Sequence, residues 1–186
     1  MKLIVGLGNP GDKYSQTRHN VGWLFIDYLS KVYNVEIKKN MCDALVGETR
    51  LNGEKVIFAK PITFMNLSGN SVSKLKQWYK LENKDILVVF DDIDIPFGTF
   101  RYRLKGSGGS HNGMKNVIQM LSSEDISRLR IGLGGLKNER QDMVDFVLQK
   151  FKKDEIEKLQ DVFFDATKKV DEFIKESWQL YINMLK

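Results

Sequence analysis

The sequence is poor in cysteine, with Cys42 as the single one among 186 residues. One thiol cannot form an internal disulfide, and no CxxC or Cys–His spacing indicates a structural zinc site. Hydrophobic runs long enough to cross a bilayer are also missing. The N-terminus enters the apolar segment KLIVGL without the features of a secretory signal. We therefore expect a cytoplasmic protein that has no structural zinc and no segment that spans a membrane.

Histidine is almost as scarce, since His19 and His111 are the only two. Each is followed by asparagine, comes after a Gly-rich turn and precedes a predicted helix. A lone histidine is usually a surface or helix-capping residue, but two in matching surroundings favour a functional role. No GxSxG motif or similarly placed nucleophile is present, so a hydrolase built on this chain would have to activate water.

The composition is otherwise that of a soluble globular protein, with 42% hydrophobic and 28% charged residues. Apolar segments of strand type interleave with segments of helical periodicity. The predicted strands are 2–7, 44–51, 55–60, 86–90, 99–104 and 128–133, and the predicted helices are 21–32, 68–80, 112–121 and 153–186. Asn52-Gly53 predicts a hairpin between two of the strands. We predict one α/β domain, residues 1–186, with a mixed sheet surrounded by helices.

The segment GLGNPG, residues 6–11, follows the first predicted strand and matches the pattern G-x-G-x-x-G. A dinucleotide site requires a helix that starts within this turn, because the pyrophosphate binds at the helix N-terminus. Here Pro10 and a polar segment intervene before helical periodicity begins. A dinucleotide-dependent oxidoreductase using Gly6, Gly8 and Gly11 is therefore the less favoured hypothesis. The glycines are predicted to turn the chain sharply and to present Asn9 at the end of the strand.

Polar side chains follow the most apolar predicted strand, in the segment FDDIDIPFG. Its three carboxylates admit three interpretations: ligands for magnesium, residues that favour a loop, or a partner that orients a histidine. The carboxylates are Asp91, Asp92 and Asp94. Asparagines in candidate loops are neutral donors suited to an oxyanion, which favours acyl-ester chemistry over phosphoryl transfer. They are Asn9, Asn66 and Asn112.

Positive charge is concentrated between residues 95 and 140, where eight basic residues face three acidic ones. The net charge of this window is +5, equal to that of the whole chain. Such an excess suits a polyanionic partner, although a solvated basic surface would have the same composition.

Four segments together resemble bacterial peptidyl-tRNA hydrolases. They are GLGNPGDKYSQTRHNVG, KPITFMNLSG, DDIDIPFG and GSGGSHNGMKNVI, and they occur in the order typical of that family. The resemblance implies a single α/β domain around a twisted mixed sheet, a monomer without metal or cofactor. It also implies hydrolysis of the ester that joins a peptide to the terminal adenosine of tRNA, with peptidyl-tRNA as the partner.

The resemblance also assigns roles by position. It implies that His19 is the catalytic base and that Asp91 orients it. The residues implied to bind substrate are Asn9, Asn66 and Asn112, with Tyr14 and Met65 shaping the cleft and His111 positioning the substrate. The residues implied to face tRNA are Arg101, Arg103 and Arg130. Ser110 departs from the family, which has glycine there; if the position requires positive φ, serine costs about 1 kcal/mol.

Two further hypotheses stay open. One is an RNA-binding protein on the same fold without hydrolysis, because the resemblance extends to RNA-splicing factors. The other is a structural protein that docks through its C-terminal helices, where Trp178 and Tyr181 could be exposed. Aromatic residues at helical spacing are more often part of a core, so we expect a core position for both.

Overall fold

The computed structural model describes residues 1–135 and 142–184, with side chains as far as Lys175. Within these ranges, seven strands form one sheet and five α-helices accompany it. The strands are β1 Lys2–Gly6, β2 Lys39–Met41, β3 Ala44–Leu51, β4 Glu54–Pro61, β5 Ile86–Asp92, β6 Phe100–Arg103 and β7 Ser127–Gly132. The helices are α1 Val21–Val32, α2 Ser68–Tyr79, α3 Asn112–Leu121, α4 Met143–Val147 and α5 Lys153–Met184.

The sheet has the strand order β2-β3-β4-β1-β5-β7-β6. Its central strands are parallel, with β1 between β4 and β5, and with β7 beside β5. The two edges are antiparallel, through β2–β3–β4 on one side and β6–β7 on the other. The prediction of a single α/β domain with a mixed sheet is therefore confirmed. Because the central strands are parallel, their carboxyl ends lie at one edge, where α/β proteins bind ligands.

Successive side chains of the central strands point to opposite faces of the sheet, so the core has two layers. Ile4 faces a layer built with α1, α4 and α5, whereas Leu3 and Val5 face a layer built with α2 and α3. Side chains on β5 alternate in the same way, with Val89 in the first layer and Val88 in the second. The sheet is thus covered on both faces, which agrees with the nearly continuous apolar sequences of β1 and β5.

Two elements of the fold were not predicted from the sequence. Strand β2 has only three residues, none of them β-branched or aromatic, and it pairs at the edge through its backbone. Helix α4 has five residues, too few for helical periodicity. It begins where the carboxylate of Asp142 accepts a hydrogen bond from the N–H of Val144 at 2.7 Å.

Helix α5 has 32 residues and packs one apolar stripe against the sheet. Leu159, Phe163, Ala166, Val170 and Phe173 in that stripe are buried, as the periodicity predicts. In the described ranges no helix combines the length and the apolar character that crossing a membrane requires. The side chains of Trp178 and Tyr181 lie outside the described part of the chain, so the expectation that they belong to the core stays a prediction.

The glycines at the end of β1 allow α1 to approach closely. A Cβ on Gly6 would overlap the carbonyl oxygen of Gly22 in α1, and a Cβ on Gly8 would lie 2.5 Å from the Trp23 ring. Neither glycine has a positive φ; in this loop only Gly11 has one, at 105°. The conformational freedom that was predicted for these glycines is thus used at Gly11, whereas Gly6 and Gly8 serve close packing against α1. The space above them is filled by α1, which leaves no room there for a pyrophosphate.

We expect Gly6→Ala to lower the free energy of unfolding by about 1–3 kcal/mol, because the added methyl group must displace the backbone of α1. Urea denaturation followed by circular dichroism measures this change. Gly135→Ala is the matched control, since a Cβ there meets nothing within 4 Å. Equal stability of the two variants would contradict the close-packing role of Gly6.

Candidate active site

Three side chains from separate elements meet at the carboxyl edge of the sheet. Asp91 lies near the end of β5, two residues after Val89, so both side chains are on the face of the sheet that α1 covers. His19 lies in a short 3₁₀ helix, Arg18–Asn20, directly before α1. His111 immediately precedes α3. The chain thus brings both of its histidines to one carboxylate.

The carboxylate of Asp91 accepts hydrogen bonds from both imidazoles. Nδ1 of His19 lies 2.9 Å from Oδ1 and 3.0 Å from Oδ2, and Nε2 of His111 lies 3.0 Å from Oδ1. An ionised carboxylate only accepts, so Nδ1 of His19 must carry a proton. In neutral His19, the lone pair is then on Nε2, the nitrogen that can accept a proton from water.

Burial and charge act in opposite directions on the titration of this pair. Burial alone would lower the pKa of His19, but the negative charge and the hydrogen bond of Asp91 outweigh it and raise the pKa. Burial alone would raise the pKa of Asp91, which is 3% exposed, but the two imidazoles hold it well below its usual range. Asp91 therefore stays ionised while His19 changes its protonation state.

A cavity of about 130 Å³ opens beside His19. His19, Asp91, Ser110, His111 and Asn112 form its polar side. Its apolar side comes from Ile93 and from residues of α4 and the position after it, namely Met143, Val144, Val147 and Leu148. The cavity therefore offers a proton acceptor, the amide of Asn112 and an apolar wall, which suits the hydrolysis of a neutral ester by water.

Asn9 does not line this cavity but is linked to the residue after His19, and three hydrogen bonds fix it. Its Oδ1 accepts the N–H of Met65 at 2.7 Å, its N–H donates to Oδ1 of Asn20 at 2.9 Å, and its carbonyl accepts from Nδ2 of Asn20 at 2.9 Å. Because Oδ1 is the acceptor, the Nδ2 amide group is the part of Asn9 that can donate to a substrate. Asn20 is fully buried, and its locking role was not found from the sequence.

Other predicted residues lie apart from the three-residue cluster. Asn66 is exposed and Tyr14 is half-buried, and neither lines the cavity beside His19. Met65 is buried and donates its N–H to Asn9, and it does not line the cavity either. Positive φ in the loop before His111 falls on Gly106 and Gly109, so Ser110 does not incur the backbone cost expected for it.

A second cavity, of about 270 Å³, lies on the other side of Asp91 and His111. Antiparallel pairing of β6 with β7 places Arg101 opposite Arg130 and Arg103 opposite Arg128. Residues in register share a face of the sheet, so four guanidinium groups are gathered there. Arg103, Arg128, Arg130 and Lys105 line the cavity, whereas Arg101 is exposed beside it. Like charges held this close favour an anionic partner.

Arg128 differs from its neighbours because it is only 2% exposed. Its guanidinium donates to three backbone carbonyls, those of Ser107, Glu124 and Ile126, at 2.7, 2.9 and 3.2 Å. It thereby fixes the loop that leads to His111. Arg130 instead pairs with Asp92 at 3.0 Å. Alternation of basic residues on β7 was visible in the sequence, but these partners are distant along the chain and were not predicted.

The three carboxylates of the segment FDDIDIPFG have separate surroundings, because Asp91 joins the histidines, Asp92 pairs with Arg130 and Asp94 is exposed. Among the described residues, the one group of three with metal-ligand atoms close together is His19, Asp91 and His111, within 4.8 Å of one another. One nitrogen of each ring, Nδ1 of His19 and Nε2 of His111, lies at hydrogen-bond distance from the carboxylate. The third interpretation, an aspartate that orients a histidine, is the one that this geometry favours.

Residues around His19 are held in place by α4, by the start of α5 and by the segment between these two helices. The buried guanidinium of Arg18 makes two hydrogen bonds to Glu155, at 3.0 and 3.1 Å, and lies over the rings of Phe146 and Phe151. The backbone of Arg18 donates to the carbonyl of Gln149 at 2.9 Å. These contacts join residues about 137 positions apart, and the sequence offered no signal for them.

Comparison with known proteins agrees with this geometry. The sequence profile of the peptidyl-tRNA hydrolase family matches residues 3–186. The chain belongs to this family. Membership makes it an enzyme, a hydrolase that acts on the ester bond of peptidyl-tRNA.

Individual members of the family match over nearly the whole chain. The peptidyl-tRNA hydrolase of Alkaliphilus oremlandii is 47% identical over 183 residues, which are 98% of both chains. That of an Exiguobacterium species is 42% identical over the same length, again 98% of both chains. The crystal structure of peptidyl-tRNA hydrolase from Acinetobacter baumannii has a TM-score of 0.88 at 31% identity, covering 98% of this chain and 93% of that one.

We expect Asp91→Asn to lower the pKa of His19 below the ordinary histidine value of about 6.5, because burial remains while the raising charge is lost. In the unaltered protein the pKa lies above that value. Titration of the imidazole signals by NMR measures both. Asp92→Asn is the control, since Asp92 pairs with Arg130, and it should leave the His19 titration unchanged. Equal shifts in both variants would disprove a specific effect of Asp91.

Proposed function

We propose that this chain hydrolyses peptidyl-tRNA with a water molecule activated by His19, which Asp91 orients. The observation that carries the proposal is the pair of contacts from Nδ1 of His19 to the Asp91 carboxylate. They direct Nε2 away from the carboxylate, and among the described residues Nε2 has no hydrogen-bond partner. A base must offer such an unoccupied nitrogen to the reacting water.

The reaction proceeds by direct attack of water on the ester carbonyl. Nε2 of His19 takes a proton as the water oxygen bonds to the carbonyl carbon. Asp91 stabilises the imidazolium that forms, without taking its proton. When the tetrahedral intermediate collapses, the ester bond to the ribose oxygen breaks and His19 returns the proton to that oxygen. The products are a free peptide and a tRNA that can be charged again.

Asparagine amides stabilise the charge that develops on the carbonyl oxygen. Asn112 lines the cavity beside His19, and the Nδ2 group of Asn9 is free to donate because Oδ1 is held by Met65. We assign to Asn66, Tyr14 and Met65 the contacts with more distant parts of the peptide and of the tRNA end. Neutral amides suit this task because they polarise the carbonyl without protonating it.

The second cavity, which Arg103, Arg128, Arg130 and Lys105 line, binds the phosphates of tRNA. The positive charge comes from Arg103 and Arg130, with Arg101 beside them. Contacts with phosphates do not depend on the base sequence, as an enzyme acting on many different tRNAs requires. Asp91 and His111 line both cavities, so a tRNA end held by the arginines places its terminal ester near His19. We further propose that the enzyme acts as a monomer in the cytoplasm.

We expect His19→Ala to lower kcat by ~100- to 10,000-fold with little change in affinity for tRNA, because a general base contributes about that much. The assay is hydrolysis of an N-acetylated aminoacyl-tRNA in the presence of EDTA. Turnover equal to that of the unaltered protein would refute the role of His19. Absence of hydrolysis by both proteins, with tRNA still bound, would favour RNA binding without catalysis.

We expect Arg103→Ala to raise KM and to reduce the slope of log affinity for tRNA against log salt by about one, because one phosphate contact is lost. Binding measured at several salt concentrations gives the slope. Lys84→Ala is the charge-matched control: Lys84 is exposed and precedes β5 at the end opposite Asp91. A slope that stays unchanged in Arg103→Ala would show that Arg103 makes no phosphate contact.

A further inference from the structure

His111 has hydrogen-bond partners at both nitrogens of its ring. Nε2 lies 3.0 Å from Oδ1 of Asp91, and Nδ1 accepts the N–H of Met114 at 3.1 Å. The side chain is 6% exposed, and its ring packs against those of Phe90 and His19, each with 4.8 Å between centroids. A substrate therefore finds no unoccupied donor or acceptor on this residue.

The contact with Met114 settles which nitrogen of His111 carries the proton. His111 is the N-cap residue of α3, and Nδ1 takes the place of the side-chain oxygen that usually accepts an N–H of the first helical turn. A nitrogen that accepts a hydrogen bond has no proton of its own. The ring is then neutral, with its proton on Nε2, and that proton points at Asp91.

We propose that His111 is a positioning residue, which orients the Asp91 carboxylate towards His19 through a neutral hydrogen bond and makes no hydrogen bond to the substrate. The bond to Oδ1 limits rotation of the carboxylate about its Cβ–Cγ bond. Both oxygens then stay within 3.0 Å of Nδ1 of His19. This inference rests on the proposed function, in which His19 is the base, and it replaces direct contact with substrate as the role of His111.

The neutral state of His111 is essential to this arrangement. A neutral donor fixes the carboxylate in place and leaves its full negative charge to stabilise the imidazolium of His19. A cationic donor at the same position would compete with His19 for that charge. The helix cap therefore does more than begin α3, because it also selects the tautomer of His111 that can donate to Asp91.

Two substitutions separate the two hydrogen bonds of His111. The amide oxygen of an asparagine lies near the position of Nδ1, so His111→Asn keeps an acceptor for Met114 and removes the donor to Asp91. The amide nitrogen of a glutamine reaches the position of Nε2, so His111→Gln keeps a donor to Asp91 and weakens the cap. If capping matters for activity, His111→Asn should be the more active variant. If orientation of the carboxylate matters, His111→Gln should be the more active one.

We expect His111→Asn to lower kcat by about 10- to 100-fold with KM unchanged, the range that corresponds to one hydrogen bond to a charged group. His111→Gln should keep kcat close to that of the unaltered protein while its thermal midpoint falls. Hydrolysis of an N-acetylated aminoacyl-tRNA gives kcat and KM, and thermal unfolding reports the cap. A rise in KM with unchanged kcat would overturn the proposal in favour of direct substrate contact. So would a loss of activity that follows the thermal midpoint.

The tautomer of His19 provides a readout that does not depend on catalysis. The chain has two histidines, so the imidazole ¹⁵N spectrum contains few signals. In His111→Asn only the signals of His19 remain. At a pH well above the pKa of His19, the unaltered protein and His111→Gln should show the proton on Nδ1. His111→Asn should show a mixture of tautomers. A fully Nδ1-protonated ring in His111→Asn would overturn the inference, even if His19 proved not to be the base.

Discussion

The ionised carboxylate of Asp91, buried and shared by two imidazoles, is the interaction on which the site depends. A buried charge is costly unless its partners compensate it, and here the partners come from the beginning of α1 and of α3. Each of these elements begins at the carboxyl edge of the parallel strands. The arrangement of the sheet therefore makes the meeting of the three residues possible, and their hydrogen bonds make it stable.

Close packing of backbone against backbone brings His19 to this edge. Glycines at positions 6, 8 and 22 let α1 lie directly on the end of β1, which places the 3₁₀ helix before α1 next to β5. Gly6 and Gly8 are also the first two glycines of the likeness to a dinucleotide-binding motif. In a dinucleotide fold that space admits a phosphate, whereas here it admits a helix.

The regular elements of this fold could be predicted because their signals are local. The bounds of α1, α3 and β3 agree with prediction since apolar periodicity covers their whole length. The pairing of His19 with Asp91 rested on family resemblance, and the structure supplies its geometry. Contacts such as Arg18 with Glu155, or Asn20 with Asn9, were not predictable because neither partner carries a sequence pattern that identifies the other. A family motif in turn identifies positions without giving their distance from the cavity. Asn66 and Tyr14 match the motif but do not line the cavity beside His19.

The ion pair between buried Arg18 and half-buried Glu155 joins the carboxyl edge of the sheet to the start of α5, the longest of the described helices. Residues 16–18 also exchange backbone hydrogen bonds with residues 149–151, so the two segments form a small antiparallel ladder. Local opening of one segment exposes the polar groups of the other. The amide hydrogens on both sides of this ladder should consequently exchange with solvent as one cooperative unit. A substitution near the start of α5 would thus affect the proposed chemistry through loss of order at His19, although none of the α5 side chains that the structure describes lines the cavity beside His19.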